Sequence, residues 1–156
     1  MLRAIRRVVL AAIAPLVNTK SRIIRRLAFD AKQGRYAIAQ GQEIYVVETS
    51  DKVIGRAVFQ TSEFELWKVV GALEICRSAG HPIDLIVDVG ANIGTVIIPA
   101  IKRGWVPNGI AIEPHPDNVR LLQANAALNG VQFRVVASAA GAASWQVFLR
   151  ENALNS

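Results

Sequence analysis

Between residues 84 and 137 the chain repeats one unit, a short apolar run, a turn and a stretch of helical periodicity, and few folds accept that order. The runs DLIVDV (84–89), GIAIE (109–113) and FRVVA (133–137) predict strands. Helices are predicted over 95–103 and 116–128, the second begun by Pro116 and closed by Asn129-Gly130. Strands separated by helices of this length pair in parallel through crossovers, so the fold class is α/β with a doubly wound, mostly parallel sheet. Pro99 falls inside the first crossover helix and should kink it. Residues 141–144 resemble a turn into one more strand over 145–149.

Upstream, residues 36–60 suggest short β segments, with 44–47 the clearest strand and Gly41 and Gly55 at turns. Ser62 and Glu65 form a capping-box pattern before a helix carrying Phe64, Trp67, Val70 and Ile75, which should end at Gly80 because Pro82 follows. Three regions result: an arm over 1–35, a lead-in over 36–82, and the α/β unit over 83–156.

The charge of +6 is unevenly spread. Residues 1–42 hold nine Lys or Arg against Asp30 alone, so the remaining 114 residues carry −2. Attraction for anions is therefore confined to one end, and no nucleic-acid partner is expected for the α/β unit. Arg3, Arg6 and Arg7 share a helical face, and Arg22, Arg25 and Arg26 repeat the spacing beside Ile23, Ile24 and Leu27, predicting two basic amphipathic helices parted near Pro15. Residues 1–30 are expected either to touch an anionic membrane surface or to pack as a solvated arm. The apolar run 8–17 has ten residues, against about 20 for a spanning helix. A signal-peptide reading of the first residues is disfavoured by Pro15 after the A-x-A pattern. Cys76 is the only cysteine, which rules out an internal disulfide, argues against a cysteine-built zinc site and fits a cytoplasmic setting; no metal site is expected.

Chemistry concentrates where the first strand of the α/β unit passes to its helix, in Asp88-Val-Gly90-Ala91-Asn92-Ile93-Gly94. Glycine there permits a sharp turn and close approach of a ligand, and the helix beyond is expected to present unpaired amide hydrogens. Asp88 adds a carboxylate suited to a cationic ligand group. A dinucleotide fingerprint, G-x-G-x-x-G, is not met, because counting from Gly90 its second and third glycines fall on Asn92 and Thr95. Glu113, nineteen residues after Gly94, ends the second strand where an acid can accept hydrogen bonds from ribose hydroxyls. Alone it does not discriminate, since nicotinamide enzymes use an acid there too.

DVGANIGT, AIEPHPDN and LLQANAALNG, in this order and spacing, resemble the FkbM family of methyltransferases over about residues 54–156, including the lead-in IGRAVFQTSEFELWK. Asn92 stands where methyltransferase motif I has its middle glycine. The resemblance implies a Rossmann-like class I fold, S-adenosylmethionine held by Asp88, Gly90, Ala91, Asn92, Gly94 and Glu113, and O-methylation of a hydroxyl on a sugar, glycan or secondary metabolite. It also places His115 at the adenine rim, although a residue before Pro116 reads more simply as a helix cap. Ser138, past the third strand, falls where such enzymes often contact adenine, or else it is a small residue in an Ala-rich turn. Asn125 and Asn129 match the family motif and read as packing and C-cap residues. His81 reads as a loop residue, and Trp67, Trp105 and Trp145 as core or rim aromatics.

Members of the family continue into a strand ending in a D-x-E-G type motif, which does not occur before Ser156. The expectation is a C-terminally incomplete sheet with an apolar edge and face uncovered, and little methyl transfer from these residues alone. A nicotinamide-dependent oxidoreductase and a non-catalytic module tethered through its basic arm are the alternatives.

Overall fold

The computed structural model describes residues 21–142, so the expectations for Arg3, Arg6 and Arg7, for Pro15, for Trp145 and for the strand over 145–149 lie outside the described residues. The elements are helix α1 (21–30), hairpin strands β1 (Tyr36–Gln40) and β2 (Ile44–Glu48), helices α2 (Ile54–Thr61) and α3 (Leu66–Ser78), and then β3 (Leu85–Val89), α4 (Ile97–Lys102), β4 (Asn108–Ile112), α5 (Pro116–Leu128) and β5 (Arg134–Val136). β3, β4 and β5 form a parallel sheet in that order, the α/β, Rossmann-like architecture expected of the alternating pattern.

Strand alternation divides this sheet into two unlike faces. Ile86, Ala111 and Val135 point to one side and pack with Ile97 and Ile98 of α4 and Leu121 and Leu122 of α5. Gly109 lies under α4, where a Cβ would meet Ile97 and Ile101 side chains at 2.8 Å. Leu85, Val87 and Val89 point the other way and are half exposed, so among the described residues that face is uncovered. The same core extends into the hairpin, through Ala37, Ala39, Tyr45 and Val47 on its inner face, and reaches Phe29 of α1 and Val58 of α2.

Asn125 and Asn129 fasten the hairpin to α5. Asn125 accepts the Val46 N–H (2.7 Å) and donates to the Val46 carbonyl (3.3 Å) and the Ile93 carbonyl (3.0 Å). Asn129 accepts the Ile44 N–H (3.0 Å) and donates to the Ile44 carbonyl (2.7 Å). Four helical residues rise about 6 Å and two strand residues about 6.7 Å, so amides one helical turn apart meet alternate residues of a strand edge. The packing role expected of both, and the C-cap position of Asn129, are what the structure shows. Beside Ile44, at the turn of the hairpin, Glu43, only 2% exposed, takes both Nε and Nη2 of Arg103 at 2.9 and 2.7 Å.

Three local expectations are corrected. Residues 54–60 are helical, because Asp51 accepts the N–H groups of Val53, Ile54 and Gly55 and so caps a helix where β segments were expected. Gly55 is in that helix and not in a turn, and a Cβ on it would lie 2.9 Å from the Glu48 carbonyl. The Ser62/Glu65 capping box does not form: Ser62 ends α2 with φ 65°, Glu65 precedes α3 with φ 52°, and neither side chain caps α3. α3 buries Leu66 and Leu73, while Trp67 and Ile75 face solvent, and its end at Gly80 (φ 74°) is as expected. Pro99 needs no kink, since α4 starts at Ile97 and places Pro99 in the first turn, where a missing N–H costs least.

Candidate functional site

The carboxyl ends of β3 and β4 bring together Asp88, the 90–94 loop, Glu113 and His115. Val89, Ile112 and Val136 are in register across the sheet, so the loop after β3 lies directly beside Glu113. Asp88 and Glu113 share the α4/α5 side of the sheet by alternation, and the Glu113 charge is felt at Asp88. Ser138 sits exposed on the same rim, its N–H bonded to the Val136 carbonyl at 3.0 Å and its hydroxyl to the Ala139 carbonyl at 3.2 Å.

The loop is built from left-handed residues. Gly90, Asn92 and Gly94 have φ of 79°, 49° and 91°. Asn92 tolerates this conformation better than most side chains, and its Oδ1 accepts the Ile93 N–H at 2.8 Å, which accounts for asparagine at a position where a glycine would also serve. The two glycines do different jobs. A Cβ on Gly90 would meet nothing within 4 Å, so open space adjoins the backbone there. A Cβ on Gly94 would strike Ile98 Cδ1 at 2.6 Å and Leu122 Cδ1 at 2.7 Å, making Gly94 a packing glycine between α4 and α5.

The amide hydrogens of the loop itself, residues 90–94, are consumed within the protein. Gly90 and Ala91 both donate to the Ile112 carbonyl (2.8 and 3.1 Å), Asn92 to Glu113 Oε2 (2.8 Å), Ile93 to Asn92, and Gly94 to the Ala91 carbonyl (2.8 Å). Beyond them the Ile97 N–H at the start of α4 bonds to Asp88. Ala91 is buried, so only its backbone borders the loop surface.

Glu113 is also more engaged than a strand-end acid turned to solvent. It is 5% exposed and accepts N–H bonds from Asn92 (2.8 Å) and His115 (2.9 Å) and a longer one from the Asn118 amide (3.3 Å). One carboxylate thus ties the loop after β3 to the start of α5, and with about four acceptor positions it retains capacity on Oε2. His115 occupies the N-cap position with extended backbone, but its side chain makes no cap hydrogen bond.

Asp88 carries the clearest electrostatic signature. Burial pushes its carboxyl up to about 6; the Ile97 N–H pulls the other way, and the Glu113 charge pushes further up. Its Oδ2 is buried and has no hydrogen-bond partner among the described residues. A desolvated acceptor next to a second carboxylate favours a cationic donor over an anion.

No family profile and no curated protein matches the sequence. Solved structures do. A Pyrococcus horikoshii protein described as a transferase is 21% identical, with a TM-score of 0.46, over 67% of this chain and 37% of that one. The tRNA (uracil-54, C5)-methyltransferase of Pyrococcus abyssi, solved with S-adenosyl-L-homocysteine, is 13% identical, with a TM-score of 0.42, over 69% of this chain and 24% of its own. The M. jannaschii tRNA m1G37 methyltransferase is 17% identical, with a TM-score of 0.43, over 70% of this chain and 31% of its own. The chain therefore spans between about a quarter and two fifths of the length of these structures.

His81 is an exposed loop residue, as expected, its N–H bonded to the Cys76 carbonyl. What sequence reasoning missed is the cross-link made by Glu113, whose partner Asn118 within PHPDN was the only local signal. No helix among the described residues is long and apolar enough to cross a membrane.

Proposed function

We propose that Asp88, the Gly90–Gly94 loop and Glu113 hold S-adenosylmethionine, and that the chain is the cofactor-binding part of an FkbM-type methyltransferase acting on a hydroxyl of a sugar, glycan or secondary metabolite. The observation that carries this reading is the spent loop: all five amides from 90 to 94 bond within the protein, while two carboxylates stand behind them. A pyrophosphate needs donors at this place, and the spent amides of 90–94 argue against the nicotinamide alternative. An ammonium and a ribose need acceptors, and the unpartnered Asp88 Oδ2 and the remaining capacity of Glu113 provide them.

S-adenosylmethionine supplies a methyl group already activated on a sulfonium. The residues described here would bind and orient it: Asp88 toward the amino-acid end, open backbone at Gly90 beneath it, Glu113 toward the ribose, and His115 and Ser138 at the adenine rim. Positioning for in-line displacement is then the main demand on the acceptor side.

Titration calorimetry with S-adenosylmethionine and with NAD tests the assignment. The methyl donor should bind and NAD should not, and Asp88→Asn should weaken the donor about tenfold or more by removing the charge. Glu113→Gln is the matching change at the ribose position, because it retains an acceptor for the loop. NAD binding, or donor affinity indifferent to Asp88→Asn, would refute the reading.

A further inference from the structure

The end of α1 is fixed to the body of the molecule. Phe29 is fully buried, its ring 5.3 Å from that of Phe59, and Lys52 reaches both the Phe29 ring (5.3 Å) and Asp30 (3.6 Å). At 3.6 residues per turn, Ile23, Ile24 and Leu27 fall roughly opposite Phe29. They are 54%, 65% and 64% exposed, so a helix anchored by one aromatic presents its apolar stripe to solvent. Arg22, Arg25 and Arg26, all exposed, fall on the other side of the helix, with Arg26 nearest the edge of the stripe, and among the described residues Arg26 pairs with Asp30 at 3.9 Å.

We infer that this outward face of α1 docks on an anionic lipid bilayer, with Ile23, Ile24 and Leu27 in the headgroup region and the arginines reaching back to lipid phosphates. The inference stands independently of the cofactor assignment. Three observations select the occupant. An apolar stripe turned away from the body is what an interfacial helix needs, and arginines with long apolar stems can bend toward phosphates at its flanks. Residues 1–42 carry nine basic residues and one acid, so the attraction for anionic lipid is concentrated at this end of the chain. The like net charge of residues 1–42 also opposes a second copy, since two such ends would repel at long range.

Co-sedimentation of the full chain with vesicles of phosphatidylcholine, or of phosphatidylcholine with 30% phosphatidylserine, tests it. We expect binding at 0.1 M salt to the anionic vesicles alone, weakened by raising the salt. Replacing Ile23, Ile24 and Leu27 together by Ser should lower partitioning about tenfold or more without shifting the melting temperature, since the three are exposed. Arg22→Gln, Arg25→Gln and Arg26→Gln should each lower it roughly fivefold. Equal partitioning of the serine variant and the parent chain overturns the inference, as does equal binding to neutral vesicles. A dimer in light scattering that the serine variant dissolves, without vesicle binding, would instead make the stripe a contact between copies.

Discussion

Gly90 and Gly94 share a backbone conformation but not a surrounding, which separates the effects of an added methyl group. Gly90→Ala meets open space and incurs backbone strain alone, about 1–2 kcal/mol. Gly94→Ala adds a collision with Ile98 and Leu122, both fully or almost fully enclosed, and should cost about 2–4 kcal/mol. Urea unfolding of the two variants checks the order. Asp88 gives a pH prediction. Its ordinary value is 3.8 and its native value about 6, so the native state retains a proton that the unfolded chain has released. Stability therefore falls as pH rises from about 4 to about 6, by on the order of 2–3 kcal/mol from this group. Asp88→Asn should flatten that fall, read as a stability difference between variant and parent that grows in the variant's favour over the window. The glycines and both acids were legible in the sequence because turn geometry and strand ends mark them. The satisfaction of Glu113 was not, since its donors at Asn92 and Asn118 meet only after β3, β4 and α5 assemble.

Among elements, those with a strong period were readable and those fixed by a single side chain were not. β3, β4 and α5 lie within a residue of their predicted spans, and α5 coincides with its prediction. α2 was misread because its start depends on Asp51 accepting three amide hydrogens, a local bond set that competes with β pairing only once the chain has turned. The Ser62/Glu65 pattern failed for a related reason: Ser62 serves the end of α2, so it cannot also begin α3. The join between hairpin and α5 supplies an element-scale prediction. Asn125→Leu removes the partners of both polar groups of Val46 and should destabilise by about 2–4 kcal/mol. Asn129→Leu should do the same at Ile44, and the two losses should be strongly non-additive in a double-mutant cycle, because Asn129 also donates to the Asn125 carbonyl at 2.8 Å.

At the scale of the whole molecule, hairpin and α/β unit are held as one body by a shared core and by Glu43 with Arg103. Glu43→Gln removes the buried charge opposite Arg103, which keeps Glu63 at 3.2 Å, and should cost about 1.5–3 kcal/mol in thermal or urea melts. The sheet face bearing Leu85, Val87 and Val89 is an exposed apolar surface among the described residues. The isolated chain should enhance the fluorescence of a hydrophobic dye, and Val87→Thr with Val89→Thr should reduce that signal with little loss of stability. Alternation made the two faces legible in advance; which face the helices would choose was not, because that depends on crossover geometry. Asn125 and Asn129 have a last effect on growth of the assembly. By answering Ile44 and Val46 with side-chain amides they mimic a neighbouring strand at that margin, so an incoming segment finds no ladder to join there. Among the described residues the strand edges left are those of β1, β3 and β5, and a newcomer beside β3 would arrive next to the Asp88 loop.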